Sequence, residues 1–538
     1  MLRIAETEPK SPCFRPDMPS LAEMLREGLD HHRAGRLKQA EHAYRKLLDV
    51  HPRHAGAVHL LGLIAFQAGK TDLAIHYLQS AIKLDRFQAA FKADLGEIYR
   101  SKGQTGDAIG MYREAIALNP EDPHAQNHLG TLYQTSGDFP AAEGCFREAM
   151  SLQPDFAEAQ RHLGEVLAAM GRLEEGRAEL ERSVQLDATA AASYLALGDC
   201  LYSLGKSLDA IACYQKAAYL QADMAPARYH VALVRLAEGD FEHGWQELAW
   251  RLKCPSHAIA DSKPMWNGGS LDERRIVIHS EGTLSDVLQF ARYVPIVTRR
   301  GGEVFFEVPE KLVPLLAVSG FDNLIARGTT PPPCDLQVPL LSLPQVVGTR
   351  LDTVPAEVPY LAASADLERN WREKLRGLTG IRVGICWQDD PASVGDVMRS
   401  IPLAAFAPLA NVAGVTLISL QRVHGVEQLA GLGGSFQVVD LGDDVDTRHG
   451  AFMDTAAIMK SLDLIVTCDS AIAHLAGALK LPLWIAVSGG TQWRWMRDRT
   501  DTPWYPTARL FRQTRLSEWS DVMARMAETL ATLAASSH

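Results

Sequence analysis

Cysteine is scarce in this sequence, and the few cysteines that are present do not cluster. The chain has 8 cysteines among 538 residues, and no two of them form a CxxC pair. Zinc sites and disulfide frameworks need clustered cysteines, so the spacing argues against both. We therefore expect reduced, mostly buried thiols.

Long apolar runs are also missing. No stretch reaches the roughly 18 uninterrupted apolar residues that a membrane-spanning helix needs, so no span is expected. Residues 1–20 are polar and interrupted by proline, without the apolar core of a signal peptide. We expect them to form a flexible start to a cytoplasmic protein.

Positive charge is in deficit. The formal net charge is -11 and the sequence pI is about 5.9, which argues against general affinity for nucleic acid or anionic membranes. What is present is an ordinary globular composition, 47% hydrophobic and 22% charged. At this length several domains are expected.

Glycine recurs every 34 residues through the first half of the chain. The first series is Gly28, Gly62, Gly96, Gly130, Gly164 and Gly198, and the second is Gly35, Gly69, Gly103, Gly137, Gly171 and Gly205. This period is that of the tetratricopeptide repeat (TPR), in which each unit is a pair of antiparallel helices with small residues at their contact. Six regular repeats and a seventh, degenerate one (Ala232, Gly239, Gly244) are predicted over residues 21–252.

Such an α-solenoid, a TPR superhelix, presents a concave face to a protein or peptide partner. The alternative is that it only spaces or oligomerises the chain. The positions two before each glycine of the first series are expected to line that face: Arg26, Leu60, Asp94, His128, His162 and Ala196. This mixed lining does not identify the partner.

The second half alternates short apolar runs with helical segments. The predicted strands are RIVIHS, EVFFEVP, NLIARG and DLQVPL in residues 265–375, then RVGICW, GVTLISL, FQVVDL, DLIVTC, LPLWIAV and ARLFRQ in residues 380–538. VLQFARYVPIVTRR is predicted to be one amphipathic helix, and a terminal helix ends the chain. The alternation predicts two α/β lobes, each with a parallel sheet. Ligands of such sheets bind beyond the carboxyl ends of the strands.

One such loop lies in TCDSAIAHLAGAL. Asp469 occupies an N-cap position, and Ser470, Ala471 and His474 are predicted to form an exposed first helical turn. A helix N-terminus of this kind binds phosphate groups. The alternative is that Asp469 only caps the helix and His474 packs in the core.

Other loops supply weaker candidates for the same ligand. These are the glycine pair Gly489 and Gly490, the Thr491 hydroxyl, the Arg494 guanidinium, and Arg399 and Ser400, which are predicted to open a helix. Arginine pairs well with phosphate. A turn and a surface cation are the plain alternatives for the glycines and the arginines.

In the first lobe, HSEGTLSD connects a strand to a helix and contributes Glu281, Thr283, Ser285 and Asp286. Asp286 is placed where a general base would accept a proton from a hydroxyl substrate. It is equally placed to be an ordinary helix-capping acid.

These loops, in this order, resemble those of bacterial TPR glycosyltransferases whose catalytic half is related to the lipopolysaccharide heptosyltransferases. The similarity is strongest in GDFEHGWQELAWRL, SEGTLSDVLQFARY, CDSAIAHLAGALKLPLW and WRWMRDRTDTPWYPTARLFRQ. The resemblance implies a GT-B fold of two Rossmann-like lobes and a metal-independent reaction. It further implies that the second lobe holds a nucleotide sugar near Asp469, Ser470 and His474, and that Asp286 is the base.

Two departures from the family pattern bear on activity. Thr283-Leu284-Ser285-Asp286 replaces the usual Gly-Leu-Gly-Asp, so side chains stand where backbone approaches substrate. Gln388-Asp389-Asp390 puts two carboxylates near the expected diphosphate. The leading hypothesis is a glycosyltransferase acting on a hydroxyl of a protein recruited by the repeats. The alternative is a TPR scaffold with a degenerate transferase-like half.

Overall fold

The computed structural model of the protein describes residues 20–254, 263–389, 399–489, 493–515 and 518–536. The chain divides into two compact units, residues 1–188 and 189–538.

The described part of the first unit consists of five helix pairs. The helices are α1 (Leu21–Arg33), α2 (Leu37–Val50), α3 (Ala55–Gln67), α4 (Thr71–Leu84), α5 (Ala89–Ser101), α6 (Thr105–Leu118), α7 (Pro123–Thr135), α8 (Phe139–Leu152), α9 (Ala157–Ala169) and α10 (Leu173–Leu186). The predicted α-solenoid of TPR repeats is thereby confirmed, with one helix pair per 34-residue period.

The two glycine series have different physical reasons. A Cβ built on Gly130 would lie 2.5 Å from Cε1 of Phe146 in the second helix of the same pair, so only glycine lets these helices approach. Gly137, in the turn of that pair, has φ +80°, a left-handed conformation that L side chains rarely adopt. The spacing therefore encodes both the helix contact and the turn.

The second unit begins with two more helix pairs. They are α11 (Ala191–Ser203) and α12 (Ser207–Leu220), then α13 (Ala225–Ala237) and α14 (Phe241–Leu248), which continues into a 3-10 helix at Ala249–Lys253. Residues 225–254, which include α13, α14 and this 3-10 helix, form the last repeat.

Two parallel sheets follow. The first has the strand order β3-β2-β1-β4 and consists of β1 (Arg275–His279), β2 (Glu303–Val308), β3 (Leu324–Ala326) and β4 (Leu336–Pro339). The second has the order β6-β5-β7-β8-β9 and consists of β5 (Ile381–Cys386), β6 (Val415–Ser419), β7 (Leu464–Cys468), β8 (Leu483–Val487) and β9 (Ala508–Arg512). In register, Ile276 faces Val304 and Leu336, and Val383 faces Leu417 and Leu464.

Helices connect the strands and cover the sheets. They are α15 (Leu284–Phe290), α16 (Val294–Thr298), α17 (Val313–Val318), α18 (Leu343–Val346), α19 (Ala365–Lys374), α20 (Ala407–Ala410), α21 (Met453–Met459), α22 (Ala471–Ala478) and α23 (Ser520–Ser536). The predicted parallel sheets with helices are confirmed. One apolar core runs through Trp245 of the last repeat, Ile276 of the first sheet and Ile465 of the second sheet. The last repeat and the two sheets thus share buried surface.

Two predicted elements are wrong in detail. FQVVDL is not a strand, since only Val439 forms an isolated bridge, to Ile418. VLQFARYVPIVTRR is not one helix, because α15 passes into a 3-10 helix at Ala291–Tyr293 before α16 begins. Pro295 explains the break, as its ring removes the N–H that a continuous helix would use.

The predicted helix starts at Arg399 and Asp469 are also wrong. Arg399 is helical, Ser400 is not, and the next helix is a 3-10 turn that begins at Leu403, after Pro402. Ser470, and not Asp469, is the N-cap of α22, and its side chain makes no capping hydrogen bond. Among the residues described above, no helix is long and apolar enough to cross a bilayer.

Candidate functional site

The predicted site residues lie at the carboxyl ends of strands in both sheets. Helix α15, which follows β1, packs against α22, which follows β7. The loops of the two sheets therefore meet through these helices. This contact buries the first turn of α22, and Asp469 and Ser470 are buried. The prediction that this turn is exposed is wrong.

Asp286 is a helix-capping acid at the third position of α15. Its Oδ2 accepts hydrogen bonds from the backbone N–H of Thr283 at 2.7 Å and from the Thr283 hydroxyl at 2.8 Å. A Cβ on Gly282 would lie 2.3 Å from the same Oδ2, so glycine at 282 is required for this closure. The capping alternative is therefore realised, with Ser285 half-buried in the same turn.

The second carboxylate oxygen of Asp286 pairs with Arg494, which follows β8. The Arg494 Nη2 donates to Asp286 Oδ1, and its Nε donates to Gln289 Oε1 at 2.8 Å. The guanidinium also stacks over the Trp493 ring, 4.5 Å from the ring centroid. Asp286 is 5% exposed, and the Arg494 side chain is 17% exposed. The structure thus pairs Asp286, the predicted base, with Arg494, which was predicted to bind phosphate.

Glu281 forms a buried ion pair with Arg251 of the last repeat. The Arg251 Nε lies 3.0 Å from Glu281 Oε2, and its Nη2 donates to Ser342 at 2.9 Å. Glu281 also accepts the backbone N–H of Leu341 at 3.1 Å. Because both oxygens are occupied, Glu281 fixes its loop and does not face an acceptor. Arg251 was not predicted as a site residue. A single arginine in the apolar segment LAWRL could have indicated a buried, paired charge.

Asp469, which follows β7, lies close to Arg399, which comes after β5 in the chain. The Arg399 Nη1 lies 3.7 Å from Asp469 Oδ2, and both side chains are largely buried. Ser470 Oγ shares a hydrogen bond of 2.9 Å with Thr467 Oγ1. Ala471 is half-buried. The Arg399 charge is therefore directed at a carboxylate of its own chain.

His474 lies in the core and is 1% exposed. Its ring stacks on Trp495 at 5.1 Å between centroids, and its Nδ1 shares a hydrogen bond of 2.9 Å with the Tyr505 hydroxyl. Burial, with the charges of Arg494 and Arg292, holds the pKa of His474 well below its ordinary value. The imidazole is neutral at pH 7, so a cationic role toward a diphosphate does not fit.

The remaining candidates lie at the same edge. Gly489 is exposed, and its N–H donates to Gln513 Oε1 at 3.0 Å. Ser400 and Asp389 are half-buried. Gly490, Thr491 and Asp390 lie outside the described residues. Within the described ranges, no three His, Cys, Asp or Glu side chains form a metal-binding group.

The first helices of the repeats carry polar, ring-stacked side chains. Asp94 pairs with His59 at 2.6 Å, and the His128 ring lies 5.6 Å from that of Tyr112. His162 stacks on Phe146, with ring centroids 5.2 Å apart. Although burial opposes it, hydrogen bonds to Glu158 and Glu165 raise the pKa of His162.

In the second unit, Ala196, at the corresponding position, is buried. On the same helix, Asp199 is linked to His230 at 2.7 Å and to the Tyr214 hydroxyl at 2.8 Å. A carboxylate that pairs with histidine and tyrosine thus occurs in this unit as well.

Comparison with known proteins identifies the repeats. Residues 25–90, 128–192 and 169–228 match the Tetratricopeptide repeat family, and residues 96–137 match a second family described as TPR repeat. Protein FlbA of Caulobacter vibrioides is 24% identical over 351 residues, covering 58% of this chain and 56% of FlbA. The chain therefore spans about half the length of this curated relative.

Solved structures of TPR proteins are similar to part of the chain. YrrB, described as a TPR protein with an unusual peptide-binding site, is 20% identical with a TM-score of 0.31, covering 35% of this chain and 97% of YrrB. A tetratricopeptide repeat protein from Parabacteroides merdae is 19% identical with a TM-score of 0.38, covering 45% of this chain and 94% of its own.

Proposed function

We propose that this protein is a TPR interaction scaffold whose α/β half resembles a glycosyltransferase but does not catalyse transfer. The observation that carries this proposal is that both carboxylate oxygens of Asp286 already accept hydrogen bonds from the protein. A general base must have a lone pair directed at the substrate proton. In Asp286 one oxygen accepts two bonds from Thr283 and the other accepts the Arg494 guanidinium.

The donor side supports the same proposal. Stabilising a leaving diphosphate requires positive charge or N–H groups aimed at it. His474 is neutral in the core, and Arg399 faces Asp469. The charges of Arg399 and Asp469 offset each other, so this pair offers no net positive charge to an anionic ligand.

The repeats supply the interaction surface in this proposal. Asp94 and Glu97 lie on the first helix of one repeat (α5) and Glu158 on the first helix of another (α9), and their side chains are 35–54% exposed. Such side chains are available to hydrogen-bond a polypeptide, the usual ligand of repeat arrays of this kind. The partner is accordingly proposed to be a protein segment.

The test uses the full chain and has two arms. In the first, a panel of nucleotide sugars is assayed for donor hydrolysis, with Asp286→Asn as the control. We expect the same background rate in both proteins. In the second, peptides selected by display against the full chain are re-measured on Glu158→Ala and on Glu148→Ala, an exposed residue on the second helix of a repeat. We expect affinity to fall about tenfold only for Glu158→Ala.

A second candidate, a nucleotide-sugar-dependent glycosyltransferase, is favoured by one observation. Asp286 and Ser470 follow strands of different sheets, and the helices that begin there pack together, as a two-lobed transferase needs. In this proposal Arg494 would leave Asp286 for the donor diphosphate. Asp286 would then take the proton of the acceptor hydroxyl as the hydroxyl oxygen bonds to the sugar's anomeric carbon and the nucleoside diphosphate leaves, without a metal.

The first arm separates the two candidates. Hydrolysis of a nucleotide sugar that Asp286→Asn abolishes would show that the α/β half is catalytic and reject the inactive scaffold. Peptide binding that Glu158→Ala leaves unchanged would reject the proposed interaction surface, whatever the α/β half does.

A further inference from the structure

The last repeat contacts both loops that form the Asp286–Arg494 pair. Arg251, at its end, is 1% exposed and holds Glu281, five residues before Asp286. Glu238, at the end of α13, accepts the Arg497 Nε at 2.8 Å, three residues after Arg494. Each partner of the pair is thus tied to the same repeat by a separate salt bridge.

Apolar and backbone contacts reinforce the second tie. The Trp245 ring meets the Trp493 ring edge-on at 5.6 Å, and the Arg497 N–H donates to the Ala237 carbonyl at 2.9 Å. The Ser207 hydroxyl of α12 donates to the same Glu238 at 2.6 Å. Glu238 therefore links the two repeats of this unit to the segment that carries Arg494.

The interior of the last repeat is also electrostatically connected to the pair. Burial raises the pKa of Tyr229 on α13, and the charges of Arg494 and Asp286 act on its hydroxyl in opposite directions. Charges that act in this way lie within a few side-chain lengths of each other.

We propose that the last repeat keeps the Asp286–Arg494 pair closed, and that a displacement of α13 opens the pair. A shift of α13 moves Arg497 through Glu238, while Arg251 keeps the Glu281–Asp286 loop in place. The two partners then separate, which frees one oxygen of Asp286 and the guanidinium of Arg494. This inference goes beyond the proposed function, because it concerns control of the pair whether or not a donor is turned over.

The test measures how accessible the Asp286 carboxyl is. The full chain is labelled with a water-soluble carbodiimide and an amine, and modification at Asp286 is quantified by peptide mass spectrometry. We expect the rate of labelling at Asp286 to be about two- to fivefold higher in Glu238→Gln and in Arg497→Gln than in the wild type. This range corresponds to the loss of a partly exposed ion pair. Glu242→Gln, an exposed acid of the same repeat, should label at the wild-type rate.

Asp454, a buried carboxylate bonded to Trp371 and His449, reports general opening of the fold. Its labelling should stay at the wild-type rate in all variants. Equal Asp286 labelling in Glu238→Gln, Arg497→Gln and Glu242→Gln would overturn the proposal. So would a parallel rise at Asp454, because the variants would then act by loosening the whole unit.

Discussion

Asp286 and Arg494, 208 residues apart in the chain, form an ion pair between the loop after β1 and the segment after β8. Their contact closes the site that the sequence predicts to be open. Three acceptor positions of Asp286 are filled by its own chain. The chemistry of this edge therefore depends on whether the pair separates.

The first prediction concerns the strength of this pair. Arg494→Gln leaves the Asp286 carboxylate buried without its cation, and we expect a loss of about 3 kcal/mol in the free energy of unfolding. The double variant Asp286→Asn/Arg494→Gln should recover part of that loss, because no buried charge is left unpaired. Urea unfolding of the four proteins in this cycle measures the coupling. Additive effects of the two single changes would contradict a direct pair.

The repeats and most of the strands were predictable, because each rests on local periodicity. The spacing of Gly28 to Gly198 reports a contact repeated once per helix pair. The buried runs of β1, β5, β7 and β8 are apolar because both faces of a parallel sheet are covered. FQVVDL shows the limit, since its valines and phenylalanine are typical of a strand but only Val439 finds a partner.

The site was predicted less well, because it depends on contacts between distant segments. The sequence identified Asp286, Arg494 and His474 as neighbours of strand ends. Whether each faces a ligand or another side chain depends on how α15 and α22 pack. That packing turns Asp286 toward Arg494 and His474 toward Tyr505, and no local pattern encodes either direction.

A second prediction tests the buried Arg251–Glu281 pair. Glu281→Ala leaves the Arg251 guanidinium uncompensated in the core, so we expect unfolding of the second unit to require about 3–5 kcal/mol less free energy. Glu310→Ala, which removes an exposed acid of the 3-10 helix that follows β2, should change it by less than about 0.5 kcal/mol. Denaturant unfolding followed by tryptophan fluorescence compares the two. Equal losses would mean that Glu281 has no special role.

A third prediction concerns helix contact in the repeats. Gly130→Ala forces a methyl group against Phe146 at 2.5 Å, and we expect it to destabilise the array by about 1–3 kcal/mol. Gly144→Ala lies in the second helix of the same repeat with no atom within 4 Å of the new Cβ. It should stabilise the array by up to about 1 kcal/mol through higher helix propensity.

Far-UV circular dichroism during urea unfolding measures both glycine variants. Because the two substitutions are chemically identical and lie in one helix pair, differences in the unfolded chain largely cancel. If both variants shifted the midpoint in the same direction, the close contact at Gly130 would not explain the first glycine series.

The last prediction is a pH dependence that arises from His474. Its folded-state pKa lies well below the ordinary value of 6.5, so above pH 6.5 it is neutral in both folded and unfolded chains and costs nothing. As the pH falls below 6.5, His474 binds a proton in the unfolded chain but stays neutral in the folded core. Stability is then lost at about 1.4 kcal/mol per pH unit.

His474→Gln keeps an acceptor for the Tyr505 hydroxyl but cannot titrate, so its stability should fall less steeply between pH 6.5 and about pH 5. A His474→Gln slope equal to that of the wild type would show that the imidazole is protonated in the folded protein, and would return it to the list of cations available for an anionic ligand.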